Sequence, residues 1–471
     1  MSNNRFNTRN ILLILILICV SYFIYSFYGP YVHFPKERHV FEKGIEYPSI
    51  HYVVEYNGEV TPESKYLDTK ETGLHEFHYS VKKGIFTKDV VFYYEVVDTT
   101  APIIEIANEN INIDPDTVYS YDDVLKNVSI NEGTITYNTK LDTRYAGTYT
   151  IDITATDEHN NSSYASYTVT VNDYEPPFVL ESGEGTIIKR WSAFDVNDVL
   201  SYGDNVDDSL ELELQGFVNT SYIGKYPIQA TLTDDSGNTT SWSFTVEVVR
   251  NIQEEEEDDI TYAFEDFIKD YKIDGRKVGI DVSEWQNEID FEKVKEAGCE
   301  FVMMRIGFSH DGILTLDKEF RNNFDKAKKA GLPVGIYYYS YDTSTEEVSS
   351  VLDQIFEELD GATLELPIVF DWENFNNYQD YNMSFKTLND LYEEFEKKVS
   401  ENGYEAMLYG SRYYLNNIWR DVEDKPIWLA HYTYWSNYDK PYVMWQRCAW
   451  GQIDGIETDC DFDVLFEDID N

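Results

Sequence analysis

Hydrophobic and polar positions follow three different rhythms in turn along these 471 residues. Residues 11–28 (ILLILILICVSYFIYSFY) are uncharged and mostly apolar throughout, with Arg5 and Arg9 before them. As a helix they would span about 27 Å, close to the thickness of a bilayer's hydrocarbon core. From about residue 32 to 250 the pattern has a period of two. β-branched and aromatic residues alternate with polar ones, and Asp, Asn and Gly cluster between the runs, which predicts antiparallel hairpins. From Lys277 onward short apolar runs alternate with amphipathic stretches, predicting parallel strands joined by helical crossovers.

The first segment reads as a retained transmembrane helix at 11–28. No small-residue cleavage site follows it, since Tyr25, Phe27 and Tyr28 are bulky, and Cys19 is preceded by Ile18 rather than a small residue. Arg5 and Arg9 then place residues 1–10 as a cytoplasmic tail and the rest outside, a single-pass cell-membrane topology. A cleaved signal peptide is the alternative.

Within the alternating region one pattern recurs. GLHEFHYSV (73–81) resembles GTYTIDITA (147–155) and GKYPIQATL (224–232), with the glycines 74 and 77 residues apart. Short strands repeated at such spacing predict three all-β sandwiches of immunoglobulin-like type, at 32–98, 99–173 and 174–250. Prolines at the junctions, Pro102 and Pro176-Pro177, stiffen the links. The glycine–tyrosine hairpin and the Asp-Thr-Thr-Ala-Pro-Ile junction resemble the small immunoglobulin-like repeats of bacterial surface proteins. The modules read as a spacer of roughly 100 Å, with binding of wall polymers as the alternative.

Residues 254–259 are all acidic, a solvated joint within an acidic linker and lead-in helix at 251–275. The last domain, 276–471, holds eight strand candidates at 278–282, 301–308, 333–341, 367–373, 406–410, 427–432, 444–449 and 461–466. Helical stretches at 291–297, 318–330, 345–359 and 384–402 fall between the earlier ones. Eight strands with helices thinning towards the end predict a closed barrel, whose working residues gather at the C-terminal ends of its strands. By that rule Asp281, Tyr337, Tyr339, Asp371, Glu373, Tyr409 and Trp428 converge. Asp461, at a strand start, fits the rule less well.

The run PIVFDWE (367–373) carries the sharpest chemistry. A buried strand that ends in two carboxylates bracketing a tryptophan puts Asp371 and Glu373 on the same side, roughly 6–7 Å apart along the chain. Neighbouring buried carboxylates resist ionising together, so one is kept protonated while the other stays charged, as glycosidic cleavage requires. The plainer alternative is a strand end whose acids cap the next helix or face water.

Charge narrows the partners. With 87 acidic against 37 basic residues the net charge is −50, which turns the phosphate attraction of nucleic acids and anionic membranes into repulsion. The 39 tyrosines and 9 tryptophans suit β-rich cores and equally suit platforms for sugar rings. Eight scattered histidines form no HxxxH or HxxE cluster, so no metal site is expected. Cys448 and Cys460 flank two late strands and are candidates for a disulfide if those strands are neighbours.

GIDVSEWQ (279–286) resembles the opening signature of the glycoside hydrolase family 25 lysozymes, the Chalaropsis-type N-acetylmuramidases. The resemblance runs on through AGCEFV (297–302), RIG (305–307), GIYYYS (335–340), FDWE (370–373), IWLA (427–430) and MWQ (444–446), and covers 277–471. It implies an irregular (β/α)5(β)3 TIM-like barrel and hydrolysis of the β-1,4 bond between N-acetylmuramic acid and N-acetylglucosamine in peptidoglycan. It implies no metal or organic cofactor.

Carried onto this chain, the resemblance makes Glu373 the general acid and gives Asp371 a stabilising or orienting role. Asp281 holds that pair, and Asp461 supports the cleft floor. Both a carboxylate nucleophile and assistance by the substrate's 2-acetamido group are conceivable; the close Asp371/Glu373 spacing favours the latter. Tyr337, Tyr339, Tyr409, Trp428, Tyr432 and Trp445 are candidates for stacking on sugar faces, and equally for barrel core. Two departures stand out: Tyr338 where many members have histidine, and Asp463 where the family usually has asparagine. The added charge of Asp463 shifts the pH optimum in a direction the sequence leaves open. The expectation is a membrane-anchored wall hydrolase on a three-module stalk, with peptidoglycan strands as partner and protein partners unknown. The alternative is a catalytically weak surface protein that binds wall glycan.

Overall fold

In each of the three modules a glycine opens a long hairpin strand opposite the end of its partner: Gly73 pairs with Val96, Gly147 with Val171 and Gly224 with Val248. The computed structural model describes residues 8–252, 261–273 and 275–466; the acidic run at 254–259 and Arg5 lie outside them. The chain divides into two units, 1–171 and 172–471.

The first unit begins with a helix, Thr8–Tyr28, whose stretch Ile11–Tyr28 has a mean hydropathy of 2.5. Two modules follow, each built around a four-stranded sheet. In the first, hairpin Gly73–Lys83/Phe86–Val97 is flanked by Glu59–Pro62 on one side and, in parallel, by Val40–Glu42 on the other. The second repeats this order with Gly147–Thr156, Ser162–Val171, Thr134–Asn138 and parallel Asn110–Ile113. Period-two burial follows the sequence: Ile151, Ile153 and Ala155 are fully buried while Asp152 faces out.

The second unit opens with a third copy of the same sheet: Gly224–Thr233 and Thr239–Val249, with Glu211–Gln215 and parallel Ile187–Lys189. A separate two-stranded pair, Phe178–Glu181 and Ser201–Gly203, belongs to this module as well.

Eight strands form the barrel that follows: β1 Arg276–Val282, β2 Val302–His310, β3 Val334–Ser340, β4 Ile368–Asp371, β5 Ala406–Ser411, β6 Ile427–Ala430, β7 Met444–Gln452 and β8 Cys460–Phe466. Helices α1 Phe291–Glu296, α2 Phe320–Ala330, α3 Thr345–Leu359, α4 Phe385–Glu401 and α5 Arg412–Asn417 follow the first five strands in turn. β1 to β7 pair in parallel, and β8 closes the ring antiparallel to both β7 and β1. Alternate residues divide between two cores. Ile368, Phe370 and Trp372 join the large cluster beneath the helices, whereas Val369 joins Phe301, Met303, Met407, Trp428 and Met444 in the smaller cluster that fills the barrel. The stretch at 262–271 becomes a short strand beside β7 and a helix, Phe264–Tyr271, that buries Phe264, Phe267 and Tyr271 against Phe462.

Two expectations are corrected. Cys448 and Cys460 are free thiols although β7 and β8 are neighbours. Register shifts in β7 set Cys448 opposite Phe462 and Cys460 opposite Gly451, so the two sulfurs never face each other. The third module is also not a free spacer but is packed on the barrel. The Ser201 hydroxyl donates to Phe375 O and accepts from Tyr378 N, and Gln379 Nε2 donates to Leu200 O at 3.1 Å. Gly203 permits this approach, because a Cβ there would lie 2.7 Å from the Phe385 ring.

Candidate functional site

Period-two alternation along β4 turns Asp371 toward the barrel axis, since its neighbours Phe370 and Trp372 are held by the helical layer. Regular strand pairing ends at Asp371 rather than at 373, so Glu373 stands just past the strand, with part of its surface exposed at the cleft while its carboxyl sits deep among the surrounding groups. Asp281 lies on β1 and pairs in register with Asp461 on β8. Because β8 runs against β1, its start lies at the end where the parallel strands finish. That places Asp461 with the other acids despite its position in the strand.

All four acids line one cleft of about 280 Å³, together with Tyr337, Tyr339, Tyr409, Trp428 and Tyr432. Trp445 does not belong there. Met444 and Gln446 face inward, so alternation turns Trp445 outward, edge-on to Tyr271 at 5.5 Å, with its Nε1 donating to His431 O. Trp428 lines the cleft floor but is buried in the barrel core, with its Nε1 donating to Asp463 Oδ1 at 2.8 Å. Tyr409 is nearly as buried. Tyr339 and the half-exposed Tyr432 leave more of their faces open. A larger hollow of about 540 Å³ lies beside α1, lined by lysines and acids of mixed sign; the convergent acids are in the smaller cleft.

Gln446, which motif reading passed over, organises the acids. Its Nε2 donates to Asp281 Oδ2 at 2.9 Å and to Asp461 Oδ2 at 3.1 Å, while its Oε1 accepts from the Tyr409 and Tyr432 hydroxyls, both at 2.8 Å. A glutamine is suited to this place because its two ends carry opposite hydrogen-bonding roles. Two more residues were missed. Arg305 lies on the cleft wall, anchored to Asp317 and Glu284 at 3.0 Å each, and Trp285 lines the cleft with most of its surface open. Trp285 follows Asp281 in the GIDVSEWQ motif, and that proximity was the available signal.

Crowding shapes protonation. Burial, then the charge of Asp281, pushes the Glu373 carboxyl up to about 7. Burial pushes Asp281 up to about 6, against hydrogen bonds led by Gln446. Burial followed by the charges of Glu373 and Asp281 raises Asp371 well above the usual carboxylate range, with Arg305 opposing. Asp461 and Asp463 are raised in the same way, by burial first and by Asp281 next. Asp371 Oδ1 and Asp463 Oδ2 are buried without hydrogen-bond partners. These acids share a set of protons near neutrality rather than ionising together. Tyr338 points away, buried beside Phe370 and Phe395, so that departure from the family pattern does not touch the cleft. Among the described residues, the acids close enough to hold a cation lie elsewhere, at Asp98/Asp157/His159 and at Asp173/Asp204/Asp207.

Residues 280–456 match the model of Glycosyl hydrolases family 25. The autolytic lysozyme of Clostridium acetobutylicum is 28% identical over 193 residues, 41% of this chain and 56% of that protein. Lysozyme M1 of Streptomyces globisporus is 26% identical over 200 residues, 39% of this chain and 65% of that protein. This chain therefore spans less than two thirds of either relative. Among solved structures, the bacterial lysozyme from Streptomyces coelicolor is similar over 41% of this chain and 93% of that chain. The identity is 24% and the TM-score 0.34.

Proposed function

We propose that this chain, whose residues 280–456 form a family 25 glycosyl hydrolase domain, hydrolyses the N-acetylmuramic acid to N-acetylglucosamine bond of peptidoglycan from a membrane anchor. The observation that carries the reading is the convergence of Asp281, Asp371, Glu373 and Asp461 in one cleft, with Glu373 at its mouth and its carboxyl pushed up to about 7. Glu373 is the general acid: it holds a proton at neutral pH and reaches the solvent side, where a glycosidic oxygen would lie. Asp371, buried behind it with an unpartnered Oδ1, accepts from or donates to the substrate's 2-acetamido group and steadies charge at the reacting carbon. Asp281 acts on Glu373 through its field, and Asp461, tied to Asp281 by Gln446, fixes the floor. Tyr339, Tyr432 and Trp285 offer ring faces to the sugars.

A barrel that only gripped glycan would have no use for a carboxyl kept protonated near neutrality. The apolar helix at Ile11–Tyr28 supports anchoring, with the modules holding the barrel outside the membrane. The test is turbidity loss of purified peptidoglycan by the full chain in detergent, beside Glu373→Gln. Equal rates would sink the enzyme reading. Reducing-end analysis then separates a muramidase from a glucosaminidase.

A further inference from the structure

The loop after Ser201–Gly203 carries Asp204 and Asp207, and one carboxylate oxygen of each lies within 4.8 Å of the other and of one from Asp173. Asp204 is only 1% exposed, and its Oδ2 is buried with no hydrogen-bond partner. Its Oδ1 accepts from Val206 N at 2.8 Å and Asp207 N at 2.9 Å. The Asn205 Oδ1 on the same loop is likewise buried and unpartnered. A buried carboxylate with an unpartnered oxygen, in a cluster with two further acids, is costly unless a cation completes it. Burial, with the charges of Asp173 and Asp207 adding, pushes the Asp204 carboxyl up to about 6, so near neutrality much of that cost remains.

The internal repeat supplies a comparison. Asn161 Nδ2 donates to Asp98 O at 3.1 Å in the second module, as Asn238 Nδ2 does to Asp173 O at 3.5 Å in the third, so Asp98 and Asp173 occupy equivalent places. At Asp98 the chain supplies its own cation, with Lys43 Nζ at 3.2 Å. Asp173 accepts instead from neutral donors, the side-chain amides of Asn205 and Asn238 and the backbone N–H of Glu175. We propose that Asp173, Asp204 and Asp207 bind a divalent cation of the calcium type, which takes all-oxygen, carboxylate-rich sets of flexible geometry.

The site is placed to act on the barrel. Asp204 O accepts from Phe385 N at 2.7 Å, Asn205 O from Lys386 N at 3.0 Å, and Asp208 Oδ1 from Ser384 N at 2.7 Å, so this loop caps the start of α4. The neighbouring Ser201 holds the segment at 375–378 that follows Glu373. A bound cation fixes the loop, and with it the third module, against the start of α4 and the segment that follows Glu373.

Full-length protein in detergent, stripped of metal, is titrated with Ca2+ by calorimetry, and amide exchange at Phe385 and Lys386 is followed with and without saturating Ca2+. The expected result is saturable binding with a Kd in the range of about 10⁻⁵ to 10⁻³ M. Both amides should exchange at least about tenfold more slowly when Ca2+ is bound. Asp207→Asn weakens binding at least about tenfold, and Asp204→Asn abolishes it. Asp207 is half-buried, so its variant keeps the test decisive if Asp204→Asn does not fold. Ca2+ binding that Asp207→Asn leaves unchanged, no binding at all, or exchange at Phe385 and Lys386 indifferent to Ca2+ overturns the proposal. None of these readouts depends on hydrolysis.

Discussion

Asp281 and Asp461 stand opposite each other across β1 and β8 and share a single donor, Gln446 Nε2, at 2.9 and 3.1 Å. Two carboxylates so placed repel unless something between them carries positive character, and the amide provides it without adding a titrating group. The Tyr409 and Tyr432 hydroxyls fix the amide from its other end.

Gln446→Ala should therefore disturb the cleft more than its modest size suggests. It leaves two tyrosine hydroxyls and two carboxylates short of a partner, and a misplaced Asp281 no longer acts on Glu373. Since a 1 Å misplacement costs up to about 100-fold, kcat on purified peptidoglycan should fall roughly 10- to 100-fold. A rate within twofold of the parent would refute the bridging role.

The pH profile follows from Glu373. An acid pushed up to about 7 loses its proton as pH rises, so kcat/KM should decline above neutrality. Burial is the larger cause and the Asp281 charge the smaller, so Asp281→Asn should move this alkaline limb to lower pH. A limb that stays in place or moves upward in Asp281→Asn would exclude that coupling.

Asp463 affects stability with a definite pH dependence. Its carboxyl is raised well above the usual range by burial, so its contribution to stability is fully present below the unfolded value near 4 and is lost as pH rises through the folded value. At pH 8 the native protein bears the cost either of that charge or of the proton that avoids it. Asp463→Asn keeps an Oδ1 for Trp428 Nε1 and removes the unpartnered oxygen. Thermal unfolding should show a gain of about 1–3 kcal/mol at pH 8 and little change at pH 4. A destabilised Asp463→Asn at pH 8 would contradict the assignment.

Ser201→Ala tests the docking of the third module. The hydroxyl is buried and serves both Phe375 O and Tyr378 N. Its loss should cost about 1–3 kcal/mol. Unfolding of the barrel followed by near-UV circular dichroism, with parent and variant compared, reads this directly; coincident curves would mean the contact is idle.

The alternation at 147–155 and the strand-helix texture after Lys277 were enough to place the repeated hairpins and all eight barrel strands, because both reflect local burial on one or two faces. Asp281, Asp371 and Glu373 were legible because strand ends carry them to one rim, whereas Asp461, at a strand start, was marked by the family resemblance. Features that depend on how distant elements meet were not legible. The bulges in β7 that separate Cys448 from Cys460 have no local signature, and neither does the Ser201 contact with Phe375, which joins residues 174 positions apart. Trp445, a candidate for either sugar stacking or core, takes the core place, because Met444 and Gln446 face inward and alternation turns it out toward Tyr271.

In every module the first sheet strand runs parallel to the last: Val40–Glu42 beside Phe86–Val97, Asn110–Ile113 beside Ser162–Val171, and Ile187–Lys189 beside Thr239–Val249. Tension drawn along the chain from one such strand to the other pulls them past each other, so their ladder hydrogen bonds are loaded in shear and must yield together rather than unzip singly. Under the proposed tethering at one end and engagement of wall glycan at the other, each module would act as a mechanical clamp. Single-molecule extension should show it as a separate high-force unfolding step, and smooth low-force elongation would show that the clamp does not hold.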